Sequence, residues 1–594
     1  MARPTQELRI DKFLGRKDST TPAEIDQRGA SDLRNLLIYN DYEKLYRRKG
    51  YTRVNETLLS PSGEALQGIF WFKNSRGENL IGVHDRDVLS FTLHTSGVAL
   101  ASGSNVFTDN TEVNGVAIGQ YLYLGNAQDG NQKTNGTAVY LVAPNAPTQA
   151  PTAALGSATG LTGTYNYRYT YIGQDGETET AASSVSNTVT PSNQKIDVTV
   201  TPSPASGKVT ATRLYRNRDG ETSFFLVTTL SALATAYTDN IADASLGAEL
   251  RDVTEDQSPT PPMNYLQVYR NRLCGASGTT LLISNENEPW ITPESTNPDL
   301  AYHGLRLQVA DDMNSPITGL KTHGSKLVVF TGSKGFLVEG STPEDFFVDD
   351  FTNHGCVAHR TLISAQDVII WLSGDGVYMA AEGQGVKRIS DDITQTLNAL
   401  TAAQMVASCA WFYDGRYYLS WDSNCFWYDL KLGQWGRYTN WFWRHVASTP
   451  FDGTNRPRLY GARVDAGRVF QLENGVLDDV FAIEMVWTSK DLDFGSPTRL
   501  KRMHFIDLKF LSNSSGMVSV YLYRDTGVAT PIQALTHTIT GGFDNFTTDG
   551  TLSKMFQDCT FACVGEYFRI QVVSQTNATF FEIADCSLSW TLYK

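Results

Sequence analysis

Short apolar runs of three to six residues, separated by Gly/Asp turns, recur along this chain. Asp367–Ile389 shows the unit most clearly (DVIIWLSGDGVYMAAEGQGVKRI): Val368–Leu372, a Ser-Gly-Asp-Gly turn, then Val377–Met379. Two such runs around a Gly/Asp turn predict a β-hairpin, because glycine enters the positive-φ conformations of tight turns without steric cost. The unit returns at Leu80–Leu93, Lys326–Gly340, Trp411–Tyr428 and Pro457–Leu472. Degenerate hairpin repeats at similar spacing predict the blades of a β-propeller, six to eight in number and most simply seven.

Two stretches interrupt that texture. Residues 144–155 (PNAPTQAPTAAL) form a Pro/Ala/Thr linker, and a second Pro-rich joint ends at residue 262. Between them lie about seven short strands in ~100 residues, the pattern of an immunoglobulin-like sandwich without disulfides. Tyr165, Tyr167, Tyr169 and Tyr171 alternate strictly and share one strand face, expected to be an outer face or edge and a possible carbohydrate or partner surface. After residue 482 the strands lengthen: Met485–Thr488, Met503–Leu511, Met517–Tyr523, Thr536–Ile539, Tyr567–Val573 and Phe580–Leu592. They predict a jelly-roll-like sandwich whose Trp- and Leu-rich ends pair with each other. Residues 391–408 are the most helical stretch, with Thr401 as N-cap, and cross from one blade to the next.

The expected organisation is therefore all-β: an N-terminal docking segment (1–60), first propeller blades (61–146), an inserted immunoglobulin/fibronectin-like sandwich (147–260), remaining blades (261–481) and a C-terminal β-sandwich (482–594).

Composition supports a folded, strand-rich protein: 41% hydrophobic, 19% charged and 11% aromatic over 594 residues. No run approaches the ~18 apolar residues of a membrane-spanning helix, and the first residues, MARPTQELRIDKF, do not read as a secretory signal. Net charge is −14. Residues 1–53 hold 12 Lys/Arg and 8 Asp/Glu, leaving 37 against 55 elsewhere, or −18. Such a body does not grip nucleic acid, since phosphate binding needs Lys/Arg to displace counterions; the acidic charge suits either a wall that lets DNA slide past or solubility alone, and charge by itself does not separate the two.

Candidate chemistry is thin. The seven cysteines (274, 356, 409, 425, 559, 563, 586) are odd in number and scattered, which favours reduced, packed thiols in a cytoplasmic product. Cys559, Cys563 and Cys586 lack a nearby His to complete a zinc set. Asp375, Asp414, Asp422 and Asp429 are available for glycosidase chemistry, and Asp85 and Asp87 flank Arg86 in a turn, but carboxylates are too plentiful to be informative. Nucleophile-elbow, zincin and P-loop motifs are missing from the sequence. Arg47-Arg48-Lys49 is either a nucleic-acid patch or, as expected here, a solvated strand edge. Trp411, Trp421, Trp427, Trp435, Trp441 and Trp443 suit a sugar platform or, more simply, core packing between blades. No catalytic, cofactor-binding or metal-binding residue is assigned.

One resemblance adds to this reading. Ile10-Asp11-Lys12-Phe13-Leu14-Gly15, Ala30-Ser31-Asp32-Leu33-Arg34-Asn35 and Leu45-Tyr46-Arg47-Arg48-Lys49-Gly50-Tyr51 together are similar to the opening of propeller-type tail proteins of short-tailed bacteriophages, the tail nozzle or tail tubular protein B family. The sandwich between Pro-rich joints and the strand Trp487–Gly495 resemble theirs as well, whereas Leu14-Gly15-Arg16 departs from the expected Gly-Gly-Leu-like turn. The resemblance implies a non-enzymatic virion protein without cofactor, made in the host cytoplasm. It implies a homohexameric ring on the tail adaptor below the portal, carrying fibres or tailspikes and passing double-stranded genomic DNA without specific binding. Alternatives are a receptor-binding or polysaccharide-degrading tail protein, or a head–tail stopper component.

Overall fold

The computed structural model describes residues 5–39, 43–55, 59, 65–91, 98–204, 206–250, 261–289, 304–310, 314–381, 383–450, 456–463, 467–512, 516–539, 553–555, 563–576 and 581–593. It is 53% strand and 4% helix. The chain forms two compact units: residues 70–90 with 98–355, and the remainder.

The unit of residues 70–90 and 98–355 holds four four-stranded antiparallel sheets of the propeller-blade kind. They start at Gly68–Asn74, Asn114–Ile118, Asn264–Tyr269 and Ile317–His323, and in each the four strands follow one another in chain order. The turns have the geometry the repeats predict. Asp85 and Arg86, for example, take φ of 45° and 72°, the paired left-handed residues of a type I′ hairpin.

Between the second and third sheets sits the inserted sandwich. Thr152–Thr162, Ser192–Thr199 and Ala236–Asp239 form one three-stranded sheet; Tyr167–Gly173, Val209–Asn217 and Phe224–Ser231 form the other. The four stripe tyrosines do belong to an edge strand or its entry, but their side chains do not lie on an outer face. At 0–2% exposure they are the centre of the core, packed with Ile196, Val198 and Leu214. The alternate positions explain this: Asn166, Arg168 and Thr170 are polar, so the tyrosine face is the one that removes apolar area from water.

The second unit carries three more such runs of four strands. Two are continuous, Ile363–Arg388 and Cys409–Thr439. The third, His445–Ser448, Leu459–Ala462 and Val469–Leu472, receives its fourth strand, Tyr51–Arg53, from the other end of the chain. Among the described residues that makes five separate four-stranded sheets and two further runs of four strands, the Cys409–Thr439 run being part of a nine-stranded sheet and the run completed by Tyr51–Arg53 part of a six-stranded one. Between the two continuous sheets run Thr394–Asn398 and Ala402–Ala407, the latter capped by Thr401 in a reciprocal pair with Gln404.

The C-terminal sandwich pairs Lys501–Ser512 with Phe581–Leu592 in one sheet, and Glu484–Ser489 with Phe568–Thr576 and Gly516–Arg524 in the other. Its Trp-bearing ends do not pair as expected. Trp487 and Trp590 belong to different sheets and contribute to one core between them.

The strands of residues 1–60 are built into these sheets. Gln6–Ile10 and Lys44–Arg47 pair with Phe581–Leu592, while Ala30–Arg34 bridges Gln434–Thr439 and Glu484–Ser489. Cys559, singled out from the sequence, lies outside the described residues.

Candidate functional site

The N-terminal phrase, read as strand edge and turn, converges in the structure on one buried polar cluster. Arg48 is not solvated: its side chain is 0% exposed and grips Asp478 with two nitrogens, at 2.7 and 2.5 Å. Its Nε donates to the Asn35 side-chain oxygen at 2.8 Å, and Nη1 and Nη2 also donate to the carbonyls of Lys49 (2.9 Å) and Thr439 (3.2 Å). The guanidinium lies 4.5 Å from the Trp441 ring centre and 5.0 Å from that of Tyr438. Burial opposes the charge, but the Asp478 carboxylate outweighs it and holds the guanidinium above its ordinary value. Lys49, next in sequence, is exposed.

Asn35 explains the asparagine of the phrase. It sits at φ 57°, a conformation Asn tolerates better than most residues. Its amide nitrogen donates to Thr439 Oγ1 (2.8 Å) and the Glu484 carbonyl (2.6 Å), and its oxygen also accepts from the Thr439 amide (2.9 Å). Nearby, Asp32 accepts from Arg34 at 2.7 Å and Arg437 at 3.2 Å, while Leu33 is fully buried.

The glycines have equally local reasons. A Cβ on Gly50 would stand 1.8 Å from the Leu477 carbonyl oxygen, and one on Gly15 would stand 2.4 Å from that of Trp435. Tyr51 then inserts edge-on among Trp441, Trp443 and Phe470, with ring centres 5.0–5.5 Å away. Burial pushes its phenol up to about 12. Apart from contacts within the phrase itself, the partners named here lie in or beside the last propeller sheets or in the C-terminal sandwich, so the phrase is a seam that fastens the two ends of the chain.

The other candidates are engaged structurally. Asp429 is buried, faces Arg416 at 3.0 Å and accepts from the amides of Lys431 and Leu432. Asp414 stands 3.6 Å from the same arginine. Asp375 accepts from the Tyr378 hydroxyl at 2.7 Å, Asp422 accepts from Gln404, and Asp87 accepts from the Asn105 amide at 2.7 Å. All six tryptophans of 411–443 are 0–5% exposed, which leaves no open aromatic face for a sugar. Cys586 is a buried free thiol, and among the described residues no His/Cys/Asp/Glu group has the arrangement of a metal site.

Two features escaped the sequence reading. Lys133 and Asp175, each 1% exposed, form a 2.5 Å ion pair between the second propeller sheet and the inserted sandwich. Burial raises the Asp175 carboxyl, but Lys133 and hydrogen bonds from Thr178 outweigh it and hold it below the usual carboxylate range. Burial pulls the Lys133 ammonium down, and Asp175 restores it only in part. The carboxylate is the better satisfied partner because the Thr178 amide and hydroxyl also donate to it.

The second feature covers the edge strand Tyr167–Gly173. Thr180, Ser183 and Ser186 are buried at every third position, and their amides donate to the carbonyls of Tyr171, Tyr169 and Tyr167 at 2.9 Å. Their hydroxyls accept from the amides of the same tyrosines at 2.9–3.1 Å. A three-residue spiral thereby pairs with a two-residue strand and satisfies both edge groups of each tyrosine. Its signal in the sequence is the Thr/Ser spacing of three.

No protein-family profile matches this sequence, and no curated protein matches it. Among solved structures, the C-terminal WD40 domain of Sif2 is similar at 10% identity and a TM-score of 0.29, over 72% of this chain and 99% of that one. The Pan2 WD40 domain of Neurospora crassa matches at 9% identity and 0.26, over 73% and 98%. AztD of Citrobacter koseri matches at 10% identity and 0.27, over 62% and 84%. These likenesses concern fold alone.

Proposed function

We propose that this chain is a structural subunit of a short phage tail, a distal nozzle through which DNA passes. Copies of it form a homohexameric ring that docks on the tail adaptor, carries fibres or spikes and retains the genome until ejection. The observation that carries this reading is the seam. Asn35, Arg48, Gly50 and Tyr51, residues on which the resemblance to tail nozzle proteins rests, join the first strands to the last sheets of the same chain. Residues so used hold the body together rather than line a binding cleft.

Two further points support it. Cross-strand hydrogen bonds between residues hundreds of positions apart resist peeling from either end, which suits a conduit under internal pressure. The acidic balance outside residues 1–53 suits a wall that DNA must slide along without sticking.

Negative-stain electron microscopy of the purified full chain tests the proposal. A ring with six-fold symmetry and a central bore is expected. A monomer, or a trimer without a bore, overturns it, and release of reducing sugar from host polysaccharide would point to a depolymerase instead.

A further inference from the structure

Glu473 directly follows the strand Val469–Leu472 and opens the loop that leads to Asp478. That loop clamps the N-terminal strand. The Asn474 amide donates to the Gly50 carbonyl at 2.9 Å, and the Gly50 amide donates to the Gly475 carbonyl at 3.0 Å. Asn474 Nδ2 donates to Thr52 Oγ1 at 2.9 Å, Arg47 donates to the Val476 carbonyl, and Arg48 pairs with Asp478.

Glu473 is an awkward residue for the head of such a loop. Its backbone is left-handed, at φ 52°. Its Oε1 is shielded from solvent and accepts no hydrogen bond among the described residues. The charged and titratable groups near enough to act on it electrostatically are Arg48 and Lys49, which follow the strand Lys44–Arg47, Asp414 and Arg416 of the neighbouring hairpin, Tyr39, Tyr413, Tyr418, Tyr438 and Cys425. The two buried arginines are already matched: Arg48 by Asp478, and Arg416 by Asp429 at 3.0 Å and Asp414 at 3.6 Å. Among the described residues the half-buried Glu473 therefore carries a carboxylate with no counter-ion of its own, set among tyrosines. Burial outweighs the nearby positive charges and lifts its carboxyl to about 7.

We propose that Glu473 makes the clamp on the N-terminal strand pH-sensitive, tight when its carboxyl is protonated and looser when it is ionised. The sign follows from linkage. A carboxyl whose value is raised by closure favours the closed clamp below its free value and loses that advantage as pH rises through the raised one. The device belongs to the fold and holds whether or not the chain is a tail component.

The test is amide hydrogen exchange on the full chain between pH 5 and 8.5, corrected for intrinsic rates. In the wild type, the opening constant of residues 47–52 and 474–479 is expected to rise by up to about tenfold per pH unit between roughly 5 and 7, then level off. E473Q is expected to remove that slope. A slope retained in E473Q, a flat wild-type profile, or a slope shared by the whole second unit each overturns the proposal. Should E473Q fail to fold, the wild-type profile alone decides.

Discussion

Removing the Arg48 guanidinium while keeping an apolar stem, as in R48M, is the sharpest test of the seam. The loss can be worked out from its partners. Asp478 is 4% exposed and takes two short hydrogen bonds from this guanidinium, so truncation leaves a carboxylate buried with neither its donors nor its counter-charge. The Asn35 oxygen and the carbonyls of Lys49 and Thr439 lose a donor as well. Breaking one side of such a pair costs about 3–5 kcal/mol. Stacking on Trp441 and Tyr438 is partly replaced by the methionine stem, so about 4 kcal/mol is expected. For a unit of this size that lowers its thermal transition by on the order of 10 °C, and it raises exchange at residues 47–52.

The partner variant separates pairing from packing. R48M/D478L removes both charges together, and replacing a buried pair by apolar groups is often neutral; most of the lost stability should return. R48K keeps the charge but not the two-pronged geometry, and should fall between wild type and R48M. Calorimetry and urea unfolding of the full chain read all three. The reasoning is refuted if R48M costs less than about 1 kcal/mol, or if the double variant is no more stable than R48M.

Other outcomes follow from single contacts. G50A forces a methyl to within 1.8 Å of the Leu477 carbonyl oxygen, and should cost at least ~1–3 kcal/mol in urea unfolding, whereas G130A, with open space around it, should stay within about 0.5 kcal/mol. S183A leaves the buried Tyr169 amide without its acceptor at 3.1 Å; a loss of ~1–3 kcal/mol is expected, with faster exchange at Tyr169, while S184A at an exposed position should be silent. The Lys133–Asp175 contact should weaken in acid. Because the Asp175 carboxyl lies below its ordinary range in the fold, the stability it adds is present above the unfolded value near ~3.9 and lost as pH falls through the folded one. Exchange at residues 174–178 should accordingly rise below about pH 4, and D175N should show no such rise.

What the sequence disclosed was local. Hairpins such as Val368–Ser373 with Gly376–Ala381 announce themselves because turn and alternation lie within fifteen residues, and Thr401 capped its helix for the same reason. What it hid was pairing at long range. Leu45–Arg48 offers a basic end that reads as edge, and nothing nearby reveals that Asp478 waits 430 positions away. The tyrosine stripe was read to the right periodicity and the wrong side. Its opposite face, Asn166, Arg168 and Thr170, held the correct answer, since the less polar face is the one that fills the core; Asn166 and Arg168 remain half-exposed, while Thr170 is buried. Thr180, Ser183 and Ser186 matched neither a period of two nor of 3.6, so no element was predicted there at all.

The concentration of sequence signal in residues 10–51 has a physical cause. Those residues must fit surfaces made by the last third of the chain: Gly15 against Trp435, Asn35 against Thr439 and Glu484, Gly50 against Leu477, Lys44 on the Ala584 carbonyl. Strands paired over such separations add little until both ends are present, because loop closure must come first. The first strands therefore wait for Phe581–Leu592, while the unit of residues 70–90 and 98–355 has its own sheets and cores to close around. A chain ending before residue 581 would keep the blade hairpins but leave Ile10, Leu36 and Leu45 without the core they share with Leu588. Close steric and polar matching is concentrated where a misfit would leave both ends of the chain unfastened, and short conspicuous phrases are what such matching leaves in a sequence.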